Sequence, residues 1–121
     1  MTQDRLSIRG MTFHAHHGLE DHEIENGQRF DIDVEMLFDA SVAAQTDQLS
    51  DTIDVRKVYK EIKKIVLEKR FYLIETLAQR VADGILKNFD VGSVTVRVRK
   101  PLAPLGGLSK GTEIEINRSR R

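Results

Sequence analysis

The stretch Phe71 to Leu86, FYLIETLAQRVADGIL, decides how the rest of the chain is read. Leu73, Leu77, Val81 and Ile85 recur every four residues, and Ile74, Ala78 and Leu86 widen the apolar stripe. That spacing predicts an amphipathic helix of about four turns, ending around Asn88. Glu75 falls in its first turn, flanked by residues expected to face the core. A carboxylate there has two readings. It stabilises the helix N-terminus through the macrodipole, by roughly 0.3–1 kcal/mol, or it offers a fixed pair of acceptors at the edge of a pocket. The residue by itself leaves both open.

On the N-terminal side, a short break, EKRFY (68–72), separates this helix from another that begins near Val55. Asp54 is its expected N-cap. Val58, Tyr59, Ile62, Ile65 and Val66 form the expected buried face, and Arg56, Lys57, Lys60, Lys63 and Lys64 a solvated basic one. Before it, AAQTDQLSDTID (43–54) reads as a polar connection. Earlier still, Leu6, Ile8, Met11 and Phe13 give a first strand whose period slips at Gly10, where a bulge is expected. Phe30, Ile32, Val34, Met36 and Phe38 alternate with Arg29, Asp31, Asp33, Glu35 and Leu37 in the second strand. The charged segment HHGLEDHEIENGQ (16–28) joins the two as the loop of an antiparallel hairpin.

Beyond the helices, Val94, Val96 and Val98 alternate with Thr95, Arg97 and Arg99, and Lys100 ends this third strand before Pro101. A loop, PLAPLGGLSKG (101–111), leads to TEIEIN (112–117). The order strand, strand, helix, helix, strand, strand predicts an α+β fold. Its expected form is a four-stranded antiparallel sheet with two helices on one face, in one domain over 1–121. The long second strand is an expected template for pairing with another chain, so an oligomer is expected.

Composition narrows the partners. Lysine plus arginine equals aspartate plus glutamate, 19 each in 121 residues, so no global field attracts nucleic acid or an anionic membrane. The absence of cysteine excludes disulfides, thiol catalysis and thiolate metal sites. There is no signal-type apolar run and no stretch near the ~18 apolar residues of a membrane span, so an intracellular, cytoplasmic protein is expected.

Three clusters carry candidate chemistry. His14, His16, His17 and His22 lie close together, and two of them on one strand face need a third ligand to hold zinc, yet no histidine follows His22. Lys100 is either a solvated charge or an acid–base group held at a pocket mouth by a rigid backbone. Glu23 is either one charge of an acidic loop or a site residue.

In combination these pieces are specific. GMTFHAHHG (10–18), GQRF (27–30), DTID (51–54), LIETLAQRVA (73–82), VRVRKP (96–101) and EIEINR (113–118) resemble the dihydroneopterin aldolase family across nearly the whole chain. The resemblance implies the tunnelling fold, in which subunits join their sheets into a barrel, a tetrameric ring commonly stacked into an octamer, with sites between subunits. It implies retro-aldol cleavage of 7,8-dihydroneopterin in folate biosynthesis with no cofactor, metal or Schiff base. On that likeness Glu75 anchors the pterin, and Leu73 and Ile74 line its pocket. Lys100 is the acid–base lysine, Glu23 binds near the reacting side chain, and a neighbouring subunit lends the segment Ile53, Asp54 and Val55.

Two positions depart from the family pattern. Val55 stands where a proton-donating tyrosine is usual, with Tyr59 and Tyr72 as nearby substitutes, and His16 stands where a tyrosine is common. The rival readings are epimerisation or oxygenation of dihydroneopterin on the same scaffold, a zinc-dependent pyruvoyl-tetrahydropterin synthase-like enzyme, and a non-catalytic pterin-binding ring.

Overall fold

The computed structural model describes residues 3–120. Four strands form one antiparallel sheet in the order β1 (Asp4–Ala15), β2 (Gln28–Phe38), β3 (Ser93–Lys100) and β4 (Thr112–Ser119). Four helices accompany them: α1 (Asp21–Asn26), α2 (Ser41–Thr46), α3 (Val55–Glu68) and α4 (Ile74–Asn88). A 3-10 turn spans Leu49–Asp51. The α+β architecture is as expected from the sequence, with α3 and α4 on one face of the sheet.

Alternation in the strands builds the core. Phe30, Ile32, Val34 and Met36 of β2 and Val94, Val96 and Val98 of β3 are fully buried beneath Val58, Ile62 and Val66 of α3 and Leu77, Val81 and Ile85 of α4. In β1 the register shifts between Ile8 and Met11. An odd spacing separates those two residues, so the extra residue keeps Leu6 and Ile8 on the same face as Met11 and Phe13. Gly10 takes φ 68°, and its N–H donates to Asp33 Oδ1 at 2.7 Å. The expected bulge is there.

The other face of the sheet carries an ion-pair lattice. Arg99 grips Asp33 with two hydrogen bonds, at 2.7 and 2.8 Å, and reaches Glu113. Arg97 joins Glu35 and Glu115. The Arg99 hydrogen bonds hold the Asp33 carboxyl down to about 2, against the opposing effect of burial.

Several expectations change. β2 is not an edge: β3 pairs along it, with Asp31 opposite Arg99, so β1 and β4 are the edges. The two-helix connection spans the sheet face and returns the chain beside β2, a pairing that alternation within a strand does not encode. The hairpin segment contains α1, and the polar connection contains α2 and the 3-10 turn. These elements are too short and too polar to show a period. α4 begins at Ile74, so Phe71 packs from the connection and Leu73, the helix N-cap, is 46% exposed. Tyr59 is partly exposed on α3 rather than buried. Asp54 does cap α3, accepting the Arg56 N–H at 3.0 Å.

His17 ties these pieces together. It is buried, stacked on Phe71 and edge-on to Phe30. Its Nδ1 accepts the Phe71 N–H at 2.9 Å, and its Nε2 meets the Val66 carbonyl at 2.9 Å. A carbonyl only accepts and an N–H only donates, so His17 is the neutral Nε2–H tautomer. Burial pushes its pKa below the usual 6.5, against the smaller raising effect of the Val66 bond. The unfolded chain then binds the proton first, so stability is full above about 6.5 and falls as pH drops below it. Replacing His17 with glutamine should cost roughly 1–3 kcal/mol near neutral pH. It should also flatten the pH dependence of the denaturation midpoint between about pH 7.5 and 5.5. A wild-type midpoint no more pH-sensitive than the variant's would contradict the neutral tautomer.

Candidate functional site

Lys100 is placed by the same alternation that buries the valines. It follows Val94, Val96 and Val98 in phase, so it points to the helical side of the sheet but past the end of the core. Its side chain is 14% exposed, and its Nζ pairs with Glu23 Oε2. Arg97 and Arg99 alternate with it and engage carboxylates on the opposite face, so they are not its neighbours.

Glu23 comes from α1 and is 1% exposed. Its Oε1 accepts the Glu20 N–H at 3.2 Å, and its Oε2 also receives the side-chain amide of Gln28. Burial alone would raise the Glu23 carboxyl. Hydrogen bonds from Lys100, Glu20 and Gln28 outweigh it, and the net shift is downward. A buried, charged acid therefore sits against a lysine.

The start of α4 closes on this pair. The Gly18 N–H donates to the Phe71 carbonyl at 3.0 Å, one residue after the His17 clamp. From there Tyr72, Leu73, Ile74 and Glu75 line a cleft of about 450 Å³ that Glu23 and Lys100 also line. Glu75 is exposed in the first turn of α4. The cleft thus joins a carboxylate at a helix N-terminus to a carboxylate–lysine pair, with apolar walls between them. A cleft of that volume falls within the range of small-molecule sites.

One chain does not bring all the sequence candidates together. Ile53 and Asp54 line a different cleft, with Phe89 and Asp90, and Val55 is partly exposed where α3 begins. Of the two tyrosines, Tyr72 lines the Lys100 cleft while Tyr59 packs against Phe13, 5.7 Å between ring centroids. The histidines separate in role. His17 is a structural clamp, His14 and His16 meet edge to face at 5.5 Å, and His16 Nδ1 binds the Ile24 carbonyl at 3.0 Å. Among the described residues, no three His, Asp or Glu side chains converge to hold a metal ion.

Sequence reasoning missed Gln28. The signal was present: residues 28, 30, 32, 34 and 36 share the buried phase of β2, and Gln28 is the polar member of that row.

The structure is that of a small α+β domain in which a buried carboxylate–lysine pair stands beside a cleft of small-molecule size. The family model for dihydroneopterin aldolase (FolB) matches residues 6–117, and the chain belongs to that family. It is 40% identical to the dihydroneopterin aldolase of Bacillus subtilis over 118 residues, 97% of this chain and 98% of the relative. It is 37% identical to that of Streptomyces coelicolor over 117 residues, again 97% and 98% of the two chains. The Escherichia coli dihydroneopterin aldolase, solved in complex with neopterin, superposes with a TM-score of 0.88 at 26% identity, covering 96% of this chain and 99% of that one.

Gly18 tests the geometry. Its φ is 141°, and a Cβ there would lie 2.5 Å from Glu23 Oε1 and 2.6 Å from Glu23 Cδ. Gly18→Ala should displace Glu23 from Lys100 and cost about 1–3 kcal/mol of stability. Denaturant midpoints check the cost, and unchanged stability and activity together would contradict the contact.

Proposed function

We propose that this chain is a 7,8-dihydroneopterin aldolase that yields 6-hydroxymethyl-7,8-dihydropterin and glycolaldehyde for folate biosynthesis. The observation that carries the reading is the Glu23–Lys100 pair opening onto the cleft that Glu75 lines. Membership of the family and the likeness to the neopterin-bound E. coli enzyme agree with it.

In the proposed reaction Glu75 accepts the paired N–H donors of the pterin edge, and Leu73 and Ile74 flank the ring. Each hydrogen bond to the charged carboxylate is worth roughly 1.5–3 kcal/mol. Lys100, with Glu23 beside it, acts as the acid–base group. As the amine it takes the proton of the side-chain hydroxyl next to the bond that breaks. The C–C bond then cleaves, glycolaldehyde leaves as the carbonyl product, and the electron pair passes into the dihydropterin ring as an enamine. The proton that Lys100 took returns to the remaining carbon, directly or through water, and completes the balance. No cofactor or metal enters these steps, and the ring itself serves as the electron sink.

Ile53, Asp54 and Val55 are assigned to the site of a neighbouring copy. That Ile53 and Asp54 line a cleft apart from Lys100 within one chain supports this assignment, and with it a homo-oligomeric ring, an octamer by family likeness. The chain 1–121 is taken as one domain. No helix among the described residues is long and apolar enough to cross a membrane, and we infer a cytoplasmic enzyme.

Incubation with 7,8-dihydroneopterin, followed by product analysis, tests the function directly: absence of glycolaldehyde would overturn it. Lys100→Ala should lower turnover by about 10²–10⁴-fold with a much smaller effect on pterin affinity. Glu75→Ala should weaken pterin binding by roughly 10²-fold or more while leaving the assembly intact, as fluorescence titration and light scattering would show.

A further inference from the structure

Gln28 is a buried polar residue against Glu23 that the proposed reaction does not use. It opens β2, pairs with Ala15 of β1, and is 8% exposed. Its Nε2 donates to Glu23 Oε2, and its buried Oε1 has no hydrogen-bond partner among the described residues. Turning the amide over would set that oxygen against the Glu23 carboxylate, so the charge of Glu23 dictates the orientation. A buried carbonyl left unpaired is unfavourable, and an apolar side chain of the same size would avoid it. Packing alone therefore gives no reason for glutamine here. The donor to Glu23 does.

We propose that Gln28 is a positioning residue of the Glu23–Lys100 site, whose amide N–H holds the Glu23 carboxylate in register with Lys100 and shares its acceptor oxygen. Glu23 Oε1 is oriented by the Glu20 N–H at 3.2 Å, and Oε2 receives both Lys100 and Gln28. With both oxygens engaged, the carboxylate cannot swing into the cleft. The charge that it presents to Lys100 is also divided with the amide. Lys100 Nζ therefore meets a fixed acceptor at the mouth of the cleft that Tyr72 to Glu75 line.

This inference rests on Lys100 being the acid–base group, so the two are tested together. The experiment measures pH–rate profiles of 7,8-dihydroneopterin cleavage for wild type, Lys100→Ala, Gln28→Met and Gln28→Leu, with thermal melts of each. Both Gln28 variants delete the donor and the orphaned oxygen, so neither leaves a buried polar atom of its own. Either folded variant should lose about tenfold in turnover with KM changed less than about twofold. The limb of its pH–rate profile that Lys100→Ala abolishes should also move, because Glu23 no longer keeps its place against Lys100. Carbon-13 NMR titration of labelled lysine should show a displaced Lys100 resonance in either variant without reference to activity. A folded variant with wild-type turnover and an unmoved limb would overturn the role of Gln28. If Lys100→Ala retains full turnover, the acid–base assignment itself fails. The NMR titration then still decides whether Gln28 governs the lysine: an unmoved Lys100 resonance overturns the inference, a displaced one sustains its structural half. Should both variants melt below the assay temperature, Gln28 acts in stability, and the inference is overturned on that ground.

Discussion

A single neutral imidazole holds the junction between α3 and α4 to the sheet. His17 leaves β1, accepts from Phe71 and donates to Val66, so it fixes the close of α3 and the approach to α4 at once. Both partners are backbone groups that neither helix satisfies internally, which is why a side chain with one donor and one acceptor fits. The next residue repeats the tie through the Gly18 N–H to the Phe71 carbonyl. Everything that lines the cleft from α4, Tyr72 through Glu75, follows directly from this point of attachment.

The site is assembled from the far side by the sheet. One face of the four strands is apolar and covered by helices, and the other is laced by Arg97 and Arg99 with carboxylates. Lys100 belongs by phase to the apolar face but lies beyond its last covered valine, and its ion-pair partner among the described residues is the buried Glu23. A buried charge needs a counter-charge and hydrogen bonds to remain ionised. The downward shift of the Glu23 carboxyl shows that Lys100, Glu20 and Gln28 supply enough of both.

The family likeness was legible because its motifs fall on elements that the structure bears out: the bulge at Gly10, the cap at Asp54, the end of β3 at Lys100. What failed to read was short or polar. α1 has six residues, half of them carboxylates, and gives no amphipathic stripe, yet it delivers Glu23. Leu73 fits the four-residue spacing of α4 but serves as its N-cap and is exposed to the cleft. Periodicity registers what is buried in a helix, not where the helix begins.

The sequence by itself determined the kinds of element, their order, the apolar face of each strand and the family to which the chain belongs. Those properties are local or nearly so, since they follow from side-chain period, capping and breaking residues. Only the tertiary structure decided that β2 lies inside the sheet, and that Glu23, Gln28 and Lys100 meet. It also decided that Glu75 lines their cleft, whereas Ile53 and Asp54 line another. Strand order and side-chain convergence depend on where a two-helix connection sets the chain down, and that is a property of packing between distant segments.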